Sequence, residues 1–240
     1  MNVSMRSLPL AKGNLVLVTE IITESGFWQR PENLIGDAVY LDMIGGGGGG
    51  GAAVANGGND TDGGNGGNSG SFVIDYFVDI SSVAVAENVA VTIGDGGDGA
   101  LKIDAGNATA RHNGQSGAPT SFGSFVSVSG GAYGRADYTN LTAGGFVGGH
   151  GSAADTFPVV ASRGAGPFGG SPSYTAGGGA SGLFSTDYIT SDIYYDTNIQ
   201  DSAKAGKGYG AGGYGMSMAE RPGGKGAKGV MIIKYFVEAE

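Results

Sequence analysis

The chain has 240 residues, of which 51 are glycine, none is cysteine and 40% are hydrophobic, and its formal net charge is −9. The lack of cysteine excludes a disulfide framework and a cysteine metal site. The negative charge argues against a general nucleic-acid binder, which needs a basic surface. Only 15% of the residues are charged, and a disordered chain would carry more charge and fewer apolar residues.

The first element in the chain is the β-branched run at residues 14–23, which predicts a strand. The sequence predicts that residues 1–24 form an N-terminal arm for attachment or oligomerisation, ahead of a single domain at residues 25–240. The apolar strand at residues 15–22 has no obvious partner in so short an arm. Because unpaired edge strands tend to recruit a partner, we expect this strand to dock onto another chain.

The most informative pattern is the repeated meeting of a strand with a glycine tract. An apolar strand-like run leads into a glycine tract within residues 38–51, 89–99 and 122–131. Within residues 223–235 the order is reversed, and the glycine tract leads into the strand-like run. The first of these tracts is seven consecutive glycines at residues 45–51. Glycine loses more backbone freedom on ordering than any other residue. The repeat therefore indicates tracts that are ordered by close packing, with surface loops as the alternative interpretation.

Polyproline-II helices supply such packing, because they have three residues per turn and no internal hydrogen bonds. A bundle of them can pair its backbone groups laterally if the helices approach closely. Residues 63–68, Gly-Gly-Asn-Gly-Gly-Asn, have the required period of three. The sequence thus predicts an all-β fold: a glycine-rich β-sandwich-like domain with bundled polyproline-II-type glycine helices and long loops, in which the final strand pairs with strands of the first half.

The long loops are expected at residues 132–222, which are poor in strand signal and rich in Gly, Ser, Tyr and Asp. Residues 186–198 fit either a short helix or an extra hairpin. Tyrosine beside glycine and serine is typical of adaptable binding loops, and lysines could meet an anionic sugar. The receptor-binding candidates are Tyr194, Tyr195, Tyr209, Tyr214, Lys204 and Lys207. Alternatively, the tyrosine rings cap glycine helices or fill a trimer interface.

No motif indicates catalysis, a metal or a cofactor. Residues 94–99 match G-x-G-x-x-G, but the strand-like residues 100–106 follow in place of the helix that a dinucleotide site needs. Asp95 and Asp98 resemble one calcium-binding repeat, which would require stacked copies. No nucleophile elbow and no recognisable carboxylate pair is present. We therefore expect a protein that is not an enzyme.

Four elements, in chain order, carry a resemblance to a known family. They are residues 25–31 ahead of the strand into residues 45–51, residues 91–97, residues 120–131, and residues 229–235. Together they resemble the glycine-rich domains of bacteriophage tail fibres and virion adhesins, over about residues 25–240. In composition the chain is also similar to the fibre-tip adhesins of T-even-type phages, which use bundled glycine helices with variable loops.

The resemblance implies a structural protein on the virion surface, made in the host cytoplasm, that acts as a tail-fibre or tip adhesin. Its expected partners are a host surface glycan or protein, other virion proteins through residues 1–24, and further copies in a homotrimer, without nucleic acid or membrane insertion. The alternative is a purely architectural virion protein, such as a head decoration, fibre base or tail-attached plug. Exposed tyrosine-rich loops would favour the adhesin.

Overall fold

The computed structural model describes residues 15–52, 64, 66–101, 112–135, 205–215 and 222–238. All regular secondary structure within these residues is β, as the sequence predicted. The strands are β1 (Leu15–Ile22), β2 (Gly26–Gln29), β3 (Ala38–Ile44), β4 (Phe72–Asp79), β5 (Asn88–Thr92), β6 (Thr120–Phe122), β7 (Val126–Val128) and β8 (Val230–Glu238). The described part of the chain contains no helix long and apolar enough to cross a membrane.

The strands form two four-stranded antiparallel sheets that pack face to face. The first sheet has the order β1-β8-β3-β4 and the second has the order β2-β5-β6-β7. The ring of Trp28 on β2 joins them, with its centroid 5.6 Å from that of Phe122 and 5.8 Å from that of Tyr235. Alternate residues of both sheets, among them Ile233 of the first and Phe122 of the second, are fully buried between them, which is the pattern of a β-sandwich.

The final strand pairs with strands of the first half, as predicted, but one of those partners was not anticipated. β8 pairs with β3 and also with β1, along the whole length of β1 from Leu15↔Glu238 to Ile22↔Met231. The expectation that residues 15–22 find no partner within the chain is therefore wrong. Val18 and Ile22 pack against the sandwich core, and this burial fixes β1 as an edge strand of the first sheet. Residues 1–14 lie outside the described residues.

A carboxylate lies beside the aromatic contact that joins the two sheets. Glu20 of β1 accepts hydrogen bonds from Trp28 Nε1 at 3.2 Å and from the Tyr235 hydroxyl. Burial of the Tyr235 ring, and then its hydrogen bond to Glu20, raise the pKa of the phenol well above its usual value near 10. Both contacts favour the protonated phenol, so the folded state holds this proton more tightly than the unfolded chain.

The molecule has a long axis with two different ends. β3, β5 and β7 leave the sandwich at one end and continue directly into glycine segments, while β4, β6 and β8 return from such segments at the same end. The opposite end, called the base below, carries the paired residues Leu15 and Glu238. Strands of eight residues and glycine helices of seven, at about 3.3 and 3.1 Å per residue, give a long axis of roughly 50 Å.

Replacement of Tyr235 by Phe should change the pH dependence of stability. Below pH 10 the tyrosine is protonated in both the folded and the unfolded state. As pH rises above 10, the unfolded chain loses the phenolic proton first, so the free energy of unfolding of the parent falls by up to about 1.4 kcal/mol per pH unit from this group. The Tyr235→Phe variant lacks this contribution.

Urea denaturation at pH 8.5, 10 and 11 would measure the difference, with Tyr40→Phe as the control because Tyr40 is exposed on the other face of the sheet. The stability gap between parent and Tyr235→Phe should narrow at alkaline pH, and by more than the gap for Tyr40→Phe, which removes a hydroxyl that does not contact Glu20. A Tyr235→Phe gap that does not change with pH would contradict the assignment.

Candidate functional site

The centre of the glycine bundle is the helix formed by residues 45–51, called the central helix, which continues straight from β3 and is buried along its whole length. Its N–H groups donate at 2.8–3.0 Å to three segments in rotation: Gly45 and Gly48 to residues 66–71, Gly46 and Gly49 to residues 112–119, and Gly47 and Gly50 to residues 222–229. A strand would repeat every second residue, so this period of three identifies a polyproline-II-type helix. None of these glycines has a positive φ.

Six segments surround the central helix. The three acceptor segments run antiparallel to it and are called the antiparallel helices. Three further segments, the parallel helices, donate to its carbonyl groups through Gly97, Gly131 and Gly213, each at 2.8 Å. The two kinds alternate around the ring and hydrogen-bond to each other, in the order 66–71, 129–135, 112–119, 94–100, 222–229, 210–215 and back to 66–71.

This arrangement explains why the central tract must be glycine. The N–H groups point at the antiparallel helices, and a Cβ atom on any of residues 45–51 would lie within 3.0 Å of a backbone atom of a parallel helix. At Gly48 that atom is the carbonyl oxygen of Ala132. In the parallel helices, glycines such as Gly96 and Gly97 are restricted in the same way by the antiparallel helices on either side. In the antiparallel helices the restriction falls on the position that faces the central helix. Glycine therefore recurs every third residue at 64, 67 and 70, which face the carbonyl groups of Gly51, Gly48 and Gly45.

A buried hydroxyl group completes the junction between sandwich and bundle. Thr120 Oγ1 donates to the carbonyl oxygen of Ile44 at 2.8 Å and accepts from the Gly94 N–H at 3.0 Å, and the residue is fully buried. It thereby pairs two backbone groups at the point along the long axis where strand pairing ends. Beyond this point the hydrogen bonds of the central helix repeat every three residues. Nothing in the sequence around Thr120 marks this role, and it was not predicted.

The end of the bundle away from the base is called the outer end. The central helix and the parallel helices run toward it, and the described chain stops there at Ala52, Leu101, Arg135 and Gly215. The antiparallel helices begin at the same end. The stretches 53–63, 102–111, 136–204 and 216–221 therefore all start from the outer end. The candidate functional site is the outer end, because all four of these stretches leave the glycine bundle there.

The structure separates the predicted receptor-binding residues. Tyr214 lies near the outer end, where its carbonyl oxygen accepts from the Gly224 N–H at 2.8 Å. Lys207 and Tyr209 lie in a turn near the sandwich, in which Gly208 and Gly210 have φ of 82° and 70°. At about 3.1 Å per residue, Tyr209 and Tyr214 are roughly 15 Å apart along the bundle. Tyr194, Tyr195 and Lys204 lie outside the described residues.

The structure also modifies the expectation of a long loop at residues 132–222, because residues 210–215 form one of the parallel helices. Two lysines of the bundle form ion pairs: Lys225 pairs with Asp98 at 3.1 Å, with both side chains more than 60% exposed, and Lys228 pairs with Glu24. Exposed pairs of this kind contribute only about 0–1 kcal/mol, but they place a carboxylate beside each of these lysines. The described residues contain no cluster of side chains suited to a metal ion.

The comparisons with known proteins agree with this architecture. The model of a family described as "Glycine-rich domain" matches residues 23–236. The match runs from the turn before β2 into β8, so it includes seven of the eight strands and every helix of the bundle, and it leaves out β1. A search of curated proteins finds no significant match.

Replacement of Gly48 by Val should destabilise the domain by about 3 kcal/mol, because the new side chain would collide with the Ala132 backbone in a close-packed region. Gly26→Val is the matched control, since nothing lies within 4 Å of a Cβ atom at Gly26. Chemical denaturation of the two variants measures both effects. Equal stabilities would show that the central helix tolerates side chains and would refute the packing explanation.

Replacement of Thr120 by Val keeps the shape of the side chain and removes its hydroxyl. The Ile44 carbonyl and the Gly94 N–H would then be buried without this partner, and the free energy of unfolding should fall by roughly 2–4 kcal/mol. Thr92→Val, at an exposed position on β5, should change it by less than about 0.5 kcal/mol. Thermal melts of both variants test the assignment, and a loss of equal size at both positions would contradict it.

Proposed function

We propose that the chain, which belongs to the glycine-rich domain family, is a phage virion structural protein that acts as a tail-fibre or tip adhesin and recognises a receptor on the host surface. The observation that carries the proposal is the division of the molecule between its two ends. The sandwich and its paired residues Leu15 and Glu238 lie at the base, and the connecting stretches start from the outer end. One end is thus suited to attachment and the other to recognition.

The bundle suits this task because hydrogen bonds between main-chain groups join all seven of its helices. Loops that bind a ligand work best on a rigid scaffold. In the bundle, glycine occupies the positions at which a Cβ atom would collide with a neighbouring main chain. Side chains in the connecting stretches can therefore change without loss of contacts in the scaffold. An adhesin that must follow changes in a host receptor benefits from this independence.

The chemistry proposed for recognition is that of tyrosine and lysine side chains in the region 132–222. Tyrosine rings stack on sugar faces with little loss of conformational entropy, and lysines pair with acidic sugars or phosphates. Tyr194, Tyr195 and Lys204 belong to the stretch between Arg135 and Ala205, which starts from the outer end. Tyr214 lies near that end in the bundle itself, whereas Tyr209 and Lys207 lie too near the sandwich to share a site with it.

The proposed assembly is a homotrimer on the virion surface, made in the host cytoplasm, that contacts other virion proteins through its N-terminal region. Since residues 15–22 form part of the first sheet, residues 1–14 are the segment of the proposed arm that is available for a separate attachment. The proposed role is recognition without catalysis or a cofactor. A purely architectural role in the virion is the second candidate. The exposed apolar side chains of Leu17 and Phe236, which lie opposite each other in the first sheet, favour it.

Replacement of both Tyr194 and Tyr195 by Ala should reduce adsorption of the purified protein to host cells by at least tenfold and leave the melting temperature unchanged within about 2 °C. The matched control is Phe27→Ala with Val85→Ala, two exposed apolar side chains of the sandwich. It should leave adsorption intact. Binding of fluorescently labelled protein to host cells provides the measurement.

Two results would contradict the proposal. If the parent protein does not bind host cells at any concentration, the architectural candidate replaces the adhesin. If the parent binds and the double tyrosine variant binds equally well, recognition lies elsewhere on the molecule and these two tyrosines have no part in it.

A further inference from the structure

A charged cluster lies on the outward face of the first sheet, at an irregularity in the pairing of β3 with β4. The register shifts between Leu41 and Met43, so that Asp42 opposes both Ile74 and Asp75. At this bulge Asp75 has a φ of 49°, in the left-handed region that residues other than glycine adopt infrequently. Bulges often redirect side chains beside functional sites. Here the bulge brings two carboxylates to one place on the sheet.

The amine of Lys234 contacts both carboxylates. Lys234 belongs to β8, the neighbour of β3 in the sheet, and its Nζ lies 2.7 Å from Asp42 Oδ2 and 2.5 Å from Asp75 Oδ1. The second oxygen of Asp42, Oδ1, accepts the Asp75 N–H at 2.7 Å. The hydrogen bond to Asp42, and then the one to Asp75, raise the pKa of Lys234 above its usual value. At neutral pH the cluster is therefore an ion pair with one additional carboxylate.

The cluster is more enclosed than an ordinary surface ion pair. The side chains of Asp42 and Lys234 are 10% and 23% exposed, whereas those of Lys225 and Asp98 are each more than 60% exposed. Tyr40 lies directly opposite Lys234 on the neighbouring strand. Partial burial removes hydration from an ammonium and a carboxylate, so it lowers the cost of forming the neutral amine and the neutral acid. The pair is thus placed for a reaction that requires its neutral form.

We infer that Lys234 and Asp42 form an intramolecular isopeptide bond, an amide between Nζ and Cγ, with the carboxylate of Asp75 as the catalytic base. Cγ is at most about 4 Å from Nζ, because one C–O bond adds about 1.2 Å to the 2.7 Å between Nζ and Oδ2. Groups held in contact react with effective molarities of up to about 10⁵–10⁸ M. Such a value offsets the unfavourable condensation of an amine with an acid in water.

The groups around the new bond account for every proton. Lys234 first transfers one proton to Asp42 Oδ2, which gives the neutral amine and the neutral acid. Nζ then attacks Cγ while Asp75 accepts a second proton from the nitrogen, and the Asp75 N–H stabilises the negative charge that develops on Oδ1. Oδ1 re-forms the carbonyl group as the Cγ–Oδ2 bond breaks, and the proton held by Asp75 leaves with Oδ2 as water. The products are one amide, one water molecule and the original Asp75 carboxylate.

The bond joins the two middle strands of the first sheet, next to the glycine bundle. β3 continues into the central helix, and β8 follows the antiparallel helix at residues 222–229. The link closes a loop that contains most of the chain, from Asp42 to Lys234. A cross-link over so long a loop strongly restricts the unfolded chain. The bond therefore stabilises the fold in either of the two proposed roles.

Mass spectrometry of the denatured full chain provides the first test. The parent should have the mass of its sequence, 23.7 kDa, less one water molecule of about 18 Da. Lys234→Arg keeps the charge, but a guanidinium stays protonated in proteins and cannot form the amide, so this variant should have its full sequence mass. Lys225→Arg, at a lysine paired with an exposed carboxylate, is the control and should show the same loss as the parent. A parent with its full sequence mass would overturn the inference.

Digestion with trypsin locates the loss and needs no variant that could fail to fold. The parent should give a branched peptide that joins the segment around Asp42 to the segment around Lys234. A loss found in a linear peptide, such as a succinimide at Asp95 or Asp98, would overturn the assignment even if the mass of the whole chain were lower by one water.

Replacement of Asp75 by Asn tests the proposed base. The variant keeps the size of the side chain and the N–H group at this position, but it removes the proton acceptor, so the linked fraction should grow at least about 100-fold more slowly than in the parent. Intact masses taken at intervals after purification measure the linked fraction. A variant that links as fast as the parent would overturn the role of Asp75.

The melting temperature distinguishes a covalent bond from an ion pair. The parent should melt at least about 10 °C above Lys234→Arg, which can keep the ion pair but lacks the cross-link. Lys225→Arg should melt within about 2 °C of the parent, because an exposed ion pair contributes little. Equal melting temperatures for the parent and Lys234→Arg would contradict the bond.

Discussion

The structure depends on the close approach of main chains around the central helix. Polyproline-II helices have no internal hydrogen bonds, so each one is stable only where neighbours accept and donate on all sides. The six surrounding segments donate to or accept from residues 45–50 at N···O distances of 2.7–3.0 Å. Such contacts require glycine wherever a Cβ atom would point at a neighbouring main chain, because that atom would lie within 3.0 Å of it. The high glycine content is thus a packing requirement.

The same constraint makes the fold cooperative over the whole chain. The ring around the central helix closes only when residues 66–71 meet residues 210–215, and residues 94–100 meet residues 222–229. Each contact joins segments that are far apart in sequence, so ordering one glycine helix alone would lose backbone entropy without compensation. The sandwich supports the bundle because its paired strands hold the ends of the helices side by side. Six of the seven helices continue a strand, and Trp28 and Thr120 fix the two sheets and the junction.

A scaffold built from main-chain contacts has a consequence for function. The bundle makes few demands on side chains beyond the absence of a Cβ atom at positions that face a neighbouring main chain. Residues at its outer end are therefore available for the proposed recognition.

The sequence by itself determined the all-β class and the polyproline-II helices, because apolar strand runs, glycine tracts and the period of three are local patterns. It also predicted that the last strand pairs with strands of the first half. The tertiary structure alone decided which helix is central, since only the seven uninterrupted glycines can be enclosed on all sides. It also decided that β1 joins the sheet of the domain. The strand is apolar on both faces, and the sequence could not show which element covers the inner one. The tyrosines illustrate the same limit: composition grouped Tyr209 with Tyr214, but the turn at Gly208 and Gly210 places them at different levels of the bundle.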